Sequence, residues 1–228
     1  MMWFAIPLTV LLYLLLRALH GRFNSPLLNP VLWTIVASAA ILMSFNLDVS
    51  DYSEKTAAFS YLLELAVVAL AIPLYKQVHQ LKRQLPAIIL SVSAGIILAT
   101  SSAYVIASWL GAPEKLKASL ATLSVTTPIT LLVTQQLGGI GSIAASMVIL
   151  IGVVGAVIGF ALLRFVGVQD KSAQGLALGA ACHGIGTATA IADNEISAAY
   201  ASTAMALSAI LTPIITPMYY PFLVQITT

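Results

Sequence analysis

The stretch LALGAACHGIGTATA, residues 176–190, sets a histidine among small residues and two glycines in a chain that is otherwise mostly hydrocarbon. Reading outward from it decides the fold. Of the 228 residues, 60% are hydrophobic and 8% charged, and the mean hydropathy is +0.99, a composition of membrane-embedded rather than water-soluble chains. A spanning helix takes about 20 apolar residues, so the expected fold is all-α: a polytopic integral membrane protein with about 6–8 membrane-embedded helices. Apolar runs occupy 3–19, 27–45, 57–75, 86–110, 116–137, 140–165, 173–192 and 196–224. Short connections make 1–228 a single transmembrane domain. The first run is kept as a helix because no small-residue cleavage site precedes Arg17, His20 and Arg22.

Charge sets an orientation. The loop with Arg17, His20 and Arg22 and the loop with Lys76, His79, Lys82 and Arg83 are basic, and Asp48, Asp51 and Glu54 lie between them. The positive-inside rule therefore places both basic loops in the cytoplasm and the N-terminus outside. The run 116–137 has Pro128 at its centre, and 173–192 contains Gly179, Gly184 and Gly186, so both are broken or re-entrant segments. If both re-enter, Arg164 and Lys171 fall inside; if both cross, they fall outside, and the C-terminus is external either way. An inverted repeat is suggested by SPLLNPVLW (25–33) and SVTTPITLL (124–132). A net charge of +2 gives no reason to expect nucleic acid, and a single cysteine, Cys182, excludes an intramolecular disulfide and a multi-cysteine metal site. No cofactor is implied.

Two segments and one carboxylate carry the possible chemistry. In hydrocarbon, glycines that interrupt a helix are tolerable only where protein or a water-filled cavity covers the opened backbone. The N–H groups of Gly184, Ile185 and Gly186, with the positive end of the following half-helix and the hydroxyls of Thr187 and Thr189, suit a carboxylate or phosphate. His183 would donate to the same anion or carry a coupled proton. The competing reading is close helix packing, with the histidine bonded across an interface. In SVTTPITLLVTQQLGG (124–139), Pro128 frees a carbonyl while Ser124, Thr126, Thr127, Thr130 and Thr134 supply hydroxyls. These line a polar pathway or repair the proline kink by bonding their own helix. Glu64, halfway into an apolar run, is a second candidate for proton coupling or charge, against an interhelical hydrogen bond in its protonated form. Asp193 and Glu195 read as a helix cap and solvated first turn, and Trp3, Trp33, Trp109, Tyr219, Tyr220 and Phe222 as an interfacial belt.

The ordered motifs SPLLNP (25–30), AVVALAIPLY (66–75), SVTTPI (124–129), GGI (138–140) and GLALGAACHGIGTA (175–188) resemble the LrgB/CidB family of bacterial membrane proteins over nearly the whole length. The resemblance implies a helical protein of the cytoplasmic (inner) membrane and a smaller LrgA/CidA-type membrane partner. Two roles follow from it: transport of small organic anions of the pyruvate, lactate or glycolate type, or a holin- or antiholin-like effect on murein hydrolase export and lysis. A homo-oligomer is expected and enzymatic activity is not. The chain departs from the family pattern at Thr122 and Leu123, where Pro-Lys is usual, and at Glu64 and Leu65, where Gly or Gln followed by Pro is common. Milder departures are Cys182 and Gly184.

Overall fold

A computed structural model describes residues 4–23, 30–59, 61–62, 65, 75 and 78–227. Glu64, most of the 25–30 and 66–75 motifs, and Trp3 lie outside the described residues. What is described is helical, with no strand among the described residues. The helices are α1 (Ala5–Phe23), α2 (Pro30–Ser44), α3 (Val49–Lys55), α4 (Val78–Trp109), α5 (Glu114–Leu120), α6 (Thr127–Gln136), α7 (Gly141–Phe165), α8 (Lys171–Asp193) and α9 (Glu195–Thr227). Five of them, α1, α4, α7, α8 and α9, are long and apolar enough to cross a membrane, whereas α2 has 15 residues. The chain separates into two compact units, 1–71 and 72–228.

In the first unit α1 packs on α2 through Ala5 and Leu42, with Leu47 and Tyr52 alongside. The chain turns at Asn46, whose φ of 48° suits an asparagine. Asp48 then caps α3 by accepting the Ser50 N–H (2.8 Å), and the Ser50 hydroxyl and amide hold its carboxyl below the usual 3.8.

The second unit is built on three long helices. α4 begins two turns before the expected start at 86 because the polar stretch VHQLKRQ continues the helix, so Pro86 sits inside it. α4 and α9 run in the same direction: Tyr200 donates to Gln84 (2.8 Å) near their beginnings, and Tyr219 meets Ser101 (2.8 Å) and Tyr220 stacks edge-on against Tyr104 (5.6 Å) near their ends. Tyr220 is thus buried in a tyrosine pair rather than standing in an interfacial belt. Trp109, at the end of α4, is 85% exposed. α7, 25 residues or about 37 Å long, packs on α8, α6 and α5.

Both interrupted segments fold back. In the first, Ser119 of α5 accepts the Ile140 N–H (2.7 Å), and Thr122 meets Thr134 (3.2 Å) across the arms. Residues that meet as 119 with 140 and 122 with 134 belong to an antiparallel hairpin with its tip at 121–126. In the second, α8 leaves helical geometry at Cys182 (φ −121°, ψ 15°) and His183 (φ 42°, ψ −134°). A straight helix of that length would separate its ends by about 33 Å. Instead Lys171 Nζ lies 2.7 Å from Asp193, and the Ser197 hydroxyl donates to the Lys171 carbonyl (3.0 Å). Length and hydropathy alone make α8 a span, but its two arms, 171–182 and 183–193, enter and leave on one side.

Connectivity then gives the hairpins opposite polarity. The first hangs from the end of α4 and the start of α7, the second from the end of α7 and the start of α9. Each points its tip toward the middle of the bundle. These two hairpins are inverted relative to each other; the 25–33 and 124–132 pair suggested by sequence includes 25–29, which lie outside the described residues.

Candidate functional site

The tip of the second hairpin is set by glycines on its neighbours. A Cβ at Gly152 of α7 would lie 2.7 Å from His183 Cε1 and 2.9 Å from Nε2; one at Gly155 would overlap the Cys182 sulfur; one at Gly159 would stand 2.5 Å from Leu178. On α9's side, Cβ atoms at Gly175 and Gly179 would overlap the carbonyl oxygens of Ser197 and Ala201. These contacts explain why the segment is so rich in small residues: backbone approaches backbone.

His183 is 6% exposed, and its Nε2 lies 2.8 Å from the Val148 carbonyl oxygen of α7. A carbonyl only accepts, so Nε2 carries the proton and donates; in the neutral ring Nδ1 is then an acceptor. A non-glycine residue at φ 42° costs of order 1–3 kcal/mol and is retained where its surroundings over-determine it. Here the imidazole is seated in the notch left by Gly152.

Thr187 donates to the His183 carbonyl (2.8 Å) and Thr189 to that of Ile185 (3.1 Å), so both hydroxyl protons are used within the arm. Gly186 is buried against Cys182 and the Leu178 carbonyl, whereas a Cβ at Gly184 would meet nothing within 4 Å. Ile185 is half-buried. The second arm starts at this tip, so its first N–H groups have no acceptor within their own arm.

At the first tip, Thr126 is the N-cap of α6 without a side-chain cap bond, Thr127 is half-buried and Pro128 is exposed in the first helical turn. Thr130 is buried and donates to the carbonyls of Thr122 (2.9 Å) and Val125 (3.3 Å), which settles its hydroxyl on the hairpin rather than on a pathway. Ser124 lines a cleft of about 340 Å³ with Ser91, Val92, Gly95 and Ala99 of α4 and Ala173, Leu176, Ala177, Ala180 and Ala181 of the second hairpin. Of the residues singled out from sequence, Ser124 is the one that reaches this cleft; His183 faces α7 instead.

At the root of the second hairpin Asp193 is drawn into a charge cluster. It pairs with Lys171 (2.7 Å) and Arg164 (3.9 Å), both of whose cations lie over the Phe160 ring, at 5.6 and 5.7 Å. The cap of α9 is instead Asn194, which accepts the Ser197 N–H (2.9 Å). Asp170 caps α8: the Ser172 hydroxyl and the Ala173 N–H hold its carboxyl below 3.8. Among the described residues no group of three His, Cys, Asp or Glu could hold a metal.

Gly152, Gly155 and Gly159 were not among the sequence candidates. Their signal is GVVGAVIG at 152–159, small residues at helical spacing inside an apolar run.

The model of the LrgB-like family matches residues 9–222. The chain belongs to the LrgB-like family. It is 35% identical to YwbG of Bacillus subtilis, over 95% of this chain and 96% of that one. It is 32% identical to a protein of Haemophilus influenzae, over 93% and 92%, and 30% identical to the "Holin-like protein CidB" of Staphylococcus epidermidis, over 93% of each. No solved structure matches. The family resemblance read from the ordered motifs therefore holds, and with five apolar helices the LrgB-like chain is a multi-pass bacterial membrane protein.

Proposed function

We propose that this LrgB-like protein carries small organic anions, monocarboxylates of the pyruvate, lactate or glycolate type, across the bacterial cytoplasmic membrane. One observation carries the reading: two hairpins of opposite polarity, whose returning arms start at their tips beside a cleft of about 340 Å³. A returning arm that starts mid-bundle turns its positive end inward, the arrangement that favours an anion. Discontinuous helices of this kind are the usual origin of transporter sites.

In this reading the anion meets the backbone of Gly184, Ile185 and Gly186 from one tip and Ser124, Thr126 and Thr127, ahead of Pro128, from the other. Thr187 and Thr189 hold the second arm's first turns, and His183 or Glu64 takes the coupled proton. Lys82, Arg83, Arg164 and Lys171 fall on one side of the second unit, and the positive-inside rule makes that side cytoplasmic and the end of α9 external. The N-terminus is external in the same scheme. A small LrgA/CidA-type membrane protein and further copies of this chain are its expected partners, read by co-purification.

The test is uptake of labelled pyruvate, lactate and glycolate into proteoliposomes, with and without a pH gradient, by this chain alone and with its partner. Uptake of one of them, reduced in His183→Ala with the protein still in the membrane, is expected. No uptake of any overturns the carrier. The name of the staphylococcal relative favours a second reading, a holin-like pore or regulator. Release of dyes larger than these carboxylates from the same vesicles supports it.

A further inference from the structure

Three hydroxyls on one face of α9, those of Ser208, Thr212 and Thr216, are each 1% exposed and have no hydrogen-bond partner among the described residues. A serine or threonine in a helix ordinarily returns its proton to the carbonyl four residues back. Several in this chain do so: Ser101 to Ile97, Ser146 to Ser142, and on α9 itself Ser202 to Ala198 and Thr203 to Ala199. Ser108 of α4 is a lone exception, whereas the three on α9 stand at successive intervals of four and form one row about 12 Å long that includes the middle of α9.

The same segment is depleted of backbone donors. Pro213, Pro217 and Pro221 lie inside α9, and each lacks the N–H that would bond the carbonyl four residues before it, at Ala209, Pro213 and Pro217. Hydroxyl and carbonyl oxygens are therefore concentrated within about two and a half turns of a membrane helix, where an unpaired polar atom is costly.

What such a set can hold follows from its chemistry. Carbonyls accept only, so an anion is disfavoured. Neither hydroxyls nor amides titrate near neutral pH, so a proton is not stored there. Divalent ions of the calcium or magnesium kind draw on carboxylates, and 196–228 contains none. Freed carbonyls and hydroxyls are ligands for a partly dehydrated alkali cation. Charge balance points the same way. No Asp, Glu, Lys or Arg occurs in 84–113, 118–163, 172–192 or 196–228, so an anion buried in this unit has no fixed side-chain countercharge there beyond a protonated His183. A buried charge is costly unless paired.

We propose that the oxygen row of α9, centred on Thr212, binds a sodium-sized monovalent cation that accompanies the carboxylate. The link to the carboxylate rests on the carrier reading above; the cation site does not.

The test is equilibrium binding of radioactive sodium to the purified full-length protein with no carboxylate present. Saturable binding is expected, displaced by unlabelled sodium and not by choline. It weakens at least tenfold in Thr212→Val and is unchanged in Ser202→Ala, whose hydroxyl already bonds its own helix. Thr216→Val and Ser208→Ala repeat the measurement if Thr212→Val does not give a folded, monodisperse protein. No saturable binding, or wild-type binding in every folded variant of the row, overturns the site and leaves water as its occupant. The two readings fail separately: sodium binding without carboxylate uptake ends the carrier alone, and carboxylate uptake unchanged in choline with no sodium binding ends the cation site alone.

Discussion

The two hairpins have one shape and two ways of holding it. The first is held by its own side chains: Thr130 donates to two carbonyls of its own tip, Thr122 meets Thr134 across the arms, and the Ser119 hydroxyl both donates to Lys115 (2.6 Å) and accepts from Ile140 (2.7 Å). The second is held largely from outside. Gly152, Gly155 and Gly159 of α7 leave room for its tip, its own Gly175 and Gly179 lie on the α9 backbone, and its imidazole bonds a carbonyl of α7. The contrast is between a hairpin glued by hydroxyls and one fitted by missing methyls. Added atoms should therefore hurt the second hairpin most, and removed hydroxyls the first.

The largest effect is expected at Gly179. Its Cβ would overlap the Ala201 carbonyl oxygen, a backbone atom that cannot swing aside as a side-chain end does. Overpacking typically costs about 1–3 kcal/mol, and more where backbone must shift. Gly179→Val should abolish most of the folded, monodisperse protein in gel filtration. Gly184→Ala, five residues away on the same hairpin but in open space, should leave the elution profile unchanged. Equal yields of the two variants would break the comparison at its strongest point.

Gly152→Ala comes next, and it sharpens the role of His183. The added methyl falls within 2.9 Å of the imidazole's Nε2, so the ring must leave the Val148 carbonyl. Uptake of carboxylate should fall to the level of His183→Ala, with a smaller loss of thermal stability than at Gly179. Wild-type uptake in Gly152→Ala beside an inactive His183→Ala would separate the seat of the imidazole from its function.

Much of this was legible in the residues, and the reasons for the rest are physical. The apolar runs located α7 and α9 within a few residues, because hydrocarbon thickness constrains length. Pro128 and the 179–186 glycines marked both interruptions, but a broken helix and a hairpin have the same local composition. Only contacts distant in sequence, such as Lys171 with Asp193 and Ser119 with Ile140, distinguish them. The same limit applied to the site. His183 stood out by its type, whereas its partner is a main-chain carbonyl of Val148, which no residue type reveals. Tyr220 differs from its sequence expectation because an aromatic at a helix end looks alike whether it faces headgroups or, as here, Tyr104.

The hydroxyl side of the comparison is tested at Thr130, fully buried in the first hairpin. Thr130→Val keeps the shape and leaves the carbonyls of Thr122 and Val125 short of one donor. A buried group left unsatisfied costs about 1–3 kcal/mol. The thermal midpoint in detergent should drop by a few degrees while Thr187→Val, whose hydroxyl bonds only its own arm, drops it less. A larger loss at Thr187 would mean that the second hairpin also depends on hydroxyl bonds.

The smallest effect belongs to the root of the second hairpin, where polar groups outside the membrane close what the glycines shape. Lys171 and Asp193 retain 39% and 20% side-chain exposure, so their pair is worth about 0–1 kcal/mol, and Lys171→Met should lower the midpoint by a degree or two at most. The neighbouring Asp170 gives the pH signature. Its carboxyl is held below 3.8 in the folded chain by the Ser172 hydroxyl and the Ala173 N–H, so it binds its proton less readily folded than unfolded. Its contribution to stability is then complete above the ordinary carboxylate range and is lost as pH falls through the depressed value. Asp170→Asn keeps an acceptor for the Ala173 N–H but removes the titration, so its melting temperature should fall less steeply than the wild type's between about pH 5 and 3. Identical acid slopes would show that the cap contributes no pH dependence and that the root of this hairpin closes through Lys171, Asp193 and Ser197 without it.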